Sequence, residues 1–261
     1  MIRDARRVGC AGPQVIHAIA DHRRIDTKKL RRAGKEERVG VSVEQVNLVG
    51  NVALLGALLI GVSAGDASAM ADGPRQLVYN VKHSVFGEIG TYTNVIEAAG
   101  TATTVKTTAH FLVKALGVGL HREDAQRVEQ WQGDRLVFFH GITVKNGDTI
   151  EIKGEAKGNN FVIDSPLGTI TAPGTIKPAN PWSSRSIDSN TMMRVDNGKV
   201  EQVKVSGGGD TNVSVDGATV PAKQYEIHGT TNYKIWIDKQ GTPVMFVVDD
   251  DSGEVTFTLK K

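Results

Sequence analysis

A single cysteine, Cys10, serves all 261 residues of the chain, and it lies ahead of every strand-like segment. The strand-rich part therefore has no disulfide, no thiol nucleophile and no cysteine metal ligand. This does not argue against an oxidising compartment, because residues 72–261 suffice to bury a core without covalent staples. Aromatic rings are scarce, at 5 % of the chain. Neither sign of charge dominates beyond residue 71: residues 72–261 carry 20 basic and 22 acidic side chains, a net of −2, against 11 and 7 before them. A nearly neutral domain gives nucleic-acid binding no support from bulk charge.

Signatures of catalysis are also missing. The histidines His83, His110, His121, His140 and His228 show no zinc-binding spacing with one another or with a carboxylate. The polar loop Ser183-Ser184-Arg185-Ser186 has no Gly-x-Ser-x-Gly elbow and no base placed by sequence to activate a hydroxyl. Asp249-Asp250-Asp251-Ser252-Gly253-Glu254 gathers carboxylates as a hard cation would require, but the twelve-residue calcium-loop pattern is not met. A hairpin turn between two apolar runs accounts for the same residues. No catalytic residue, metal ligand or cofactor is expected, and the chain reads as a non-enzyme.

One apolar run, residues 48–62, is long, and it ends in Ala67-Ser68-Ala69-Met70-Ala71. That pattern predicts a secretory signal peptide over residues 46–71, cut after Ala69 or, preferably, Ala71. An uncleaved anchor is the competing reading, since the run approaches the roughly 20 residues a spanning helix needs. Interspersed Gly50, Gly56, Gly61 and Gly65, then Asp66 and Asp72, favour cleavage. Residues 1–45 read as disordered or as a mis-assigned start, with translation beginning near Val39, Val41 or Val43; their paired arginines allow a basic arm, whereas a twin-arginine signal is disfavoured because Ala33-Gly34, not apolar residues, follow Arg31-Arg32. The expected product is residues 72–261, periplasmic or secreted, with no stable membrane span.

What remains reads as β. Ile150 and Ile152 alternate with Glu151 and Lys153, Val203 and Val205 with Gln202 and Lys204, and Val255, Phe257 and Leu259 with Thr256 and Thr258. This period of two puts one face of each segment in a core. Turns are marked by Asn146-Gly147, Asn197-Gly198, Asp216-Gly217, Gln240-Gly241 and Ser252-Gly253. Residues 109–132 allow a helical stripe, but Gly117 and Gly119 favour two strands leading to a turn at Gly133-Asp134. Residues 172–190, with Pro173, Pro178, Pro181 and Trp182, read as a crossing loop between two groups of strands. The fold expected is all-β: a single antiparallel meander curled into a barrel or half-barrel, with one long Pro-rich crossing loop.

The series Gly87-x-Ile89-Gly90, Glu129-x-Trp131-x-Gly133-x-x-Leu136 and Thr143-x-x-Asn146-Gly147 continues with Asp196-x-Gly198, Val220-Pro221-Ala222, Ile235-Trp236-x-Asp238 and Asp251-x-Gly253-x-Val255-x-Phe257. In this order it resembles a bacterial family of small exported β proteins classed as a domain of unknown function, over about Leu77 to Leu259. The resemblance implies fold and export but no chemistry. A more distant, fold-level likeness is to envelope proteins with curved antiparallel sheets, some of which hold lipid acyl chains.

Two functions fit. One is a binding module for an apolar or amphipathic, lipid-like small molecule, with Trp182, Arg185, Trp131 and Trp236 as candidate ligand-binding residues. Core filling is the competing reading of Trp131 and Trp236, and pinning of the loop that of Trp182. Residues 244–248 are apolar at every position, so their second face must meet another layer, a ligand or a partner. The other function is a structural or interaction protein of the cell envelope that engages a protein partner at a sheet edge.

Overall fold

A computed structural model describes residues 73–115, 118–250 and 252–260. The leader over residues 46–71, its cleavage near Ala71 and the reading of residues 1–45 lie outside the described residues. The described residues form sixteen strands: β1 (Arg75–His83), β2 (Gly87–Ala99), β3 (Ala102–Ala115), β4 (Val118–Gln132), β5 (Arg135–Lys145), β6 (Asp148–Lys157), β7 (Asn160–Ser165), β8 (Gly168–Pro173), β9 (Lys177–Pro178), β10 (Thr191–Met193), β11 (Val200–Gln202), β12 (Lys204–Val215), β13 (Ala218–His228), β14 (Tyr233–Asp238), β15 (Pro243–Asp250) and β16 (Gly253–Leu259).

Thirteen of them make one antiparallel sheet in the order β12-β13-β14-β15-β16-β1-β2-β3-β4-β5-β6-β7-β8. Two meanders meet where β16 pairs with β1, with Tyr79 opposite Leu259 and Val81 opposite Phe257. The strands at the ends of the order, β8 and β12, do not pair with each other, so the sheet stays open. The turns follow the sequence: Asn146-Gly147, at φ 52° and 97°, joins β5 to β6, and Asp216-Gly217, at φ 49° and 78°, joins β12 to β13. Two consecutive positive φ values are what the tightest hairpins require.

The crossing loop expected over residues 172–190 is longer and less irregular than that: it runs from the end of β8 at Pro173 to the start of β12 at Lys204 and has structure of its own. β9, β10 and β11 form a small three-stranded sheet, and Ser184–Ile187 makes a 3₁₀ turn capped by the Ser183 side chain. Ile176, Trp182, Met192, Met193 and Val203 of this segment share one buried cluster with Tyr79, Phe139, Ile235, Phe246 and Phe257 of the sheet. The crossing segment is thus the second layer that an apolar sheet face must have. Phe246 and Phe257 stack at 4.2 Å between centroids, and Tyr79 and Tyr92 meet Phe246 edge-on.

The two-faced strand finds its second layer within the chain. Phe246 of β15 joins the main core, while Val244 and Met245 pack in a separate cluster with Val213 and Val215 of β12, Ala222 of β13 and Trp236 of β14. Trp236 alternates with Ile235 and Ile237, both in the main core, so this second cluster lies on the opposite side of the sheet. Val244, Met245, Phe246 and Val248 thus each meet apolar residues of the chain itself.

Gly90 marks the tightest point of the sheet. Its φ is +151°, and a Cβ there would lie 1.8 Å from the carbonyl oxygen of His110 on the paired strand β3. Gly100, in the β2–β3 turn at φ +60°, has open space around the same atom. Gly90→Ala is expected to cost about 3 kcal/mol or more, because backbone must move, whereas Gly100→Ala should cost about 1 kcal/mol. Urea denaturation of the two variants checks this; equal losses would mean that β2 and β3 have room to part.

Candidate functional site

Strand β4 sets the chemistry of the interior. Its inward row is His121, Glu123, Ala125, Arg127, Glu129 and Trp131, all at most 4 % exposed, whereas Val128 points the other way and is half-buried. Period two fixes this outcome once Trp131 turns inward, since every residue of the same parity must follow it. Bare charges in such a place are costly, so each must be paired or hydrogen-bonded.

Glu129 is fully buried and accepts three hydrogen bonds. Trp131 Nε1 and Trp182 Nε1 both donate to Oε2 at 3.0 Å, and Asn180 Nδ2 donates to Oε1 at 2.6 Å. Asn180 extends the network: its Oδ1 accepts from Tyr92 Oη at 2.6 Å, and its Nδ2 also donates to Thr107 Oγ1 at 3.0 Å, which in turn donates to Asn94 Oδ1 at 2.7 Å. Two residues of the crossing segment are thereby tied to a carboxylate on the sheet. Burial raises the carboxyl pKa to about 7; donation from Asn180, Trp131 and Trp182 and the nearby Arg127 charge pull the other way. Burial likewise pushes the Tyr92 phenol well above its ordinary range.

The candidate residues divide between two places. Trp131 and Trp182 meet edge-on at 5.7 Å; Arg185 lies over the Trp182 ring at 5.4 Å and pairs with Asp134 at 3.0 Å; Lys177 lies over Trp131 at 5.1 Å. Burial lowers the Lys177 pKa. Trp236 is apart from them, in the cluster on the far side of the sheet. Trp182 is 6 % exposed and hydrogen-bonded inward, the geometry of a pinned loop.

Toward the other end of β4 lies a recess of about 80 Å³, walled by the rings of Tyr92, Phe111, Phe246 and Phe257, with Glu123 and Arg127 from β4. The crossing segment closes it with Arg194, Val195 and Asp196. Arg194 is held by Asp196 through Nε at 3.0 Å and Nη2 at 2.6 Å, and Arg127 donates to the Val195 carbonyl at 3.1 Å and to Thr143 Oγ1 at 3.4 Å. Gly141 stands opposite Arg127 in the register with β5, where a Cβ would come within 3.4 Å of the arginine stem. Sequence reasoning missed Glu123, Arg127, Glu129 and Asn180, because β4 looks hydrophilic throughout; the parity of Trp131 was the available signal. Among the described residues no group of three or more metal-ligating side chains is assembled, and no helix is long and apolar enough to cross a membrane.

These features define a barrel-like antiparallel β domain whose open sheet is filled by its own crossing segment. The fold is similar to the crystal structure of a beta-barrel-like protein of domain of unknown function DUF1849 from Brucella abortus, with a TM-score of 0.56 at 13 % identity, over 72 % of this chain and 96 % of that one. The chain itself belongs to the family described as Domain of unknown function DUF6134, whose model matches residues 87–260. No protein of curated function matches it.

Two outcomes follow from the Glu129 network. Because the folded pKa of about 7 lies above the ordinary 4.5, the native state holds this proton more tightly. Its contribution favours folding at low pH and is lost as pH rises from about 4.5 through 7, by at most about 3 kcal/mol. Glu129→Gln should flatten that decline; urea midpoints at pH 5 and pH 8 measure it, and parallel profiles for the two proteins would refute it. Asn180→Ala leaves Tyr92 Oη, Thr107 Oγ1 and Glu129 Oε1 without their partner and should cost about 3 kcal/mol. Limited proteolysis should then cut within residues 174–190 sooner than in the wild type, and unchanged cutting would mean that the segment is held elsewhere.

Proposed function

We propose that this protein is an exported binding module whose inner recess takes the end group of an amphipathic molecule. The observation that carries the reading is the recess itself, where five aromatic rings, those of Tyr92, Phe111, Tyr233, Phe246 and Phe257, stand beside the buried Glu123 and Arg127. Apolar walls with a few convergent polar groups are the usual form of a small-molecule site. Its volume of about 80 Å³ suits an end group, since drug-sized ligands occupy roughly 300–1,000 Å³. The remaining interior is filled by the crossing segment, so the part of a ligand enclosed is short. Export rests on the apolar run at residues 48–62 and the Ala-x-Ala sequence after it. Binding is preferred to catalysis because Glu129, the carboxyl with a pKa near neutrality, has both oxygens taken by protein donors.

The open sheet edges at β8 and β12 favour a second reading, an envelope interaction protein that accepts a partner strand. Intact mass of the protein from a periplasmic extract, taken in native and then denaturing conditions, separates the two. A mass beginning at Asp72 with extra mass lost on denaturation is expected. A mature mass with nothing attached, together with cross-linking to an envelope protein, would favour the edge reading. Recovery only as an uncleaved membrane species would overturn the cleaved signal peptide in favour of an anchor.

A further inference from the structure

Two charges in the wall of the recess lack a counter-charge from the chain. Glu123 lines the recess, is 2 % exposed and accepts no hydrogen bond from a described residue, yet its oxygens are not sealed in by protein. Its one ion-pair neighbour among the described residues is His121, whose Nε2 stands 3.8 Å from Oε2, beyond hydrogen-bond reach, and is itself closed off by protein. Asn146 Oδ1 accepts the Arg122 backbone N–H at 2.8 Å, which turns Nδ2 toward His121 Nδ1, at 3.2 Å, as a donor. An imidazole that accepts at Nδ1 is neutral and brings no charge to the carboxylate.

Arg127, 4 % exposed, is the opposite case. It donates to the Val195 carbonyl and to Thr143 Oγ1, both uncharged, and makes no ion pair among the described residues. Glu129 feels its charge, but both oxygens of Glu129 are occupied by Asn180 and the two indoles. The other charges of the wall, Arg194 and Asp196, are joined to each other at 3.0 and 2.6 Å. Nor do Glu123 and Arg127 pair directly: they stand four residues apart on one strand, about 13 Å between Cα atoms.

An apolar end group in the recess would leave both charges desolvated and uncompensated. A lone cation would compensate Glu123 and oppose Arg127, and a lone anion would do the reverse. A group carrying both signs compensates both. The rings of Tyr92, Phe111, Tyr233, Phe246 and Phe257 favour its cationic part, since aromatic faces attract alkylammonium groups.

Resting on the reading of the recess as a binding site, we infer that the end group it takes is zwitterionic, with an alkylammonium among the rings against Glu123 and an anionic oxygen group toward Arg127. A zwitterionic lipid headgroup and a free zwitterionic solute share this chemistry.

NMR titration of the full protein with n-hexylphosphocholine, n-hexyltrimethylammonium, n-hexyl phosphate, 1-hexanol and phosphocholine tests this. Expected is saturable binding of n-hexylphosphocholine, with shifts at the amides of Phe111, Glu123, Val248 and Phe257, at least about tenfold tighter than the three other hexyl probes. Glu123→Gln, which keeps the side chain's size, should bring n-hexyl phosphate and n-hexylphosphocholine to near parity; the wild-type ranking stands without the variant. Weaker binding of phosphocholine than of n-hexylphosphocholine would assign the site to a lipid, and equal binding to a free solute. Equal binding of 1-hexanol and n-hexylphosphocholine would overturn the zwitterion inference and leave the recess a plain apolar site. Tighter n-hexyltrimethylammonium or n-hexyl phosphate would overturn it in favour of a single charge. No response at these amides to any probe would remove the inference and the recess reading together.

Discussion

The fold depends on one carboxylate buried where a hydrophobic residue would ordinarily stand. An open thirteen-stranded sheet with an apolar inner face cannot remain as it is, and the layer that covers it is a segment with little regular structure. Three short strands and one 3₁₀ turn cannot by themselves fix where they sit. Glu129 supplies the fixed point, because it can accept Trp131, Trp182 and Asn180 together only when the crossing segment is in one place. Apolar packing alone would hold the segment down without specifying its register. Desolvating Glu129 costs stability, as its raised pKa shows, and that cost is set against a unique arrangement of the second layer, a use of buried polar groups attested in some folds.

The same segment explains why the sheet needs no closure. β8 and β12 lie at opposite ends of the strand order, and the chain must travel between them. It does so across the inner face, contributing Ile176, Trp182, Met192, Met193 and Val203 to the core on the way. A closed barrel of this size would have to fill its interior with side chains from its own wall or with a ligand. Here the connection fills much of it, leaving small recesses such as the one near Arg127. On the other side, the β12–β13 hairpin and β14–β15 share a second cluster around Val215 and Trp236, so these strands, too, acquire their second layer from nearby chain.

Much of this was legible in the sequence. Period-two alternation, the Asn-Gly and Asp-Gly turns and the Pro-rich crossing gave the class and the meander, because strands with one wet face and one dry face record their orientation in their residues. Trp182 as a loop pin followed from a large ring in an irregular segment. β4 was the failure: Val128 is the residue that hydrophobicity would place inside, and Arg127 and Glu129 take its place. The parity of Trp131 hints at the inward row, but local sequence cannot show what makes Glu129 tolerable there, since its partners come from position 131 on one side and from 180 and 182 on the other. Glu123 was invisible for the same reason, since the rings that share the recess with it come from β2, β3, β14, β15 and β16.

Both features lie on one strand, and this couples them. The inward row of β4 runs from Trp131 and Glu129, which hold the crossing segment, to Glu123, which lines the recess, with Arg127 between. Arg127 lowers the Glu129 pKa through its charge, donates to the Val195 carbonyl of the crossing segment and forms part of the recess wall. Any group that enters the recess and draws on Arg127 alters the electrostatic environment of Glu129, and any loosening of the segment at Val195 alters the wall that the entering group meets. A strand that carried only apolar residues inward would have packed the interior as well, but it could not have linked the covering layer to the recess through a single side chain.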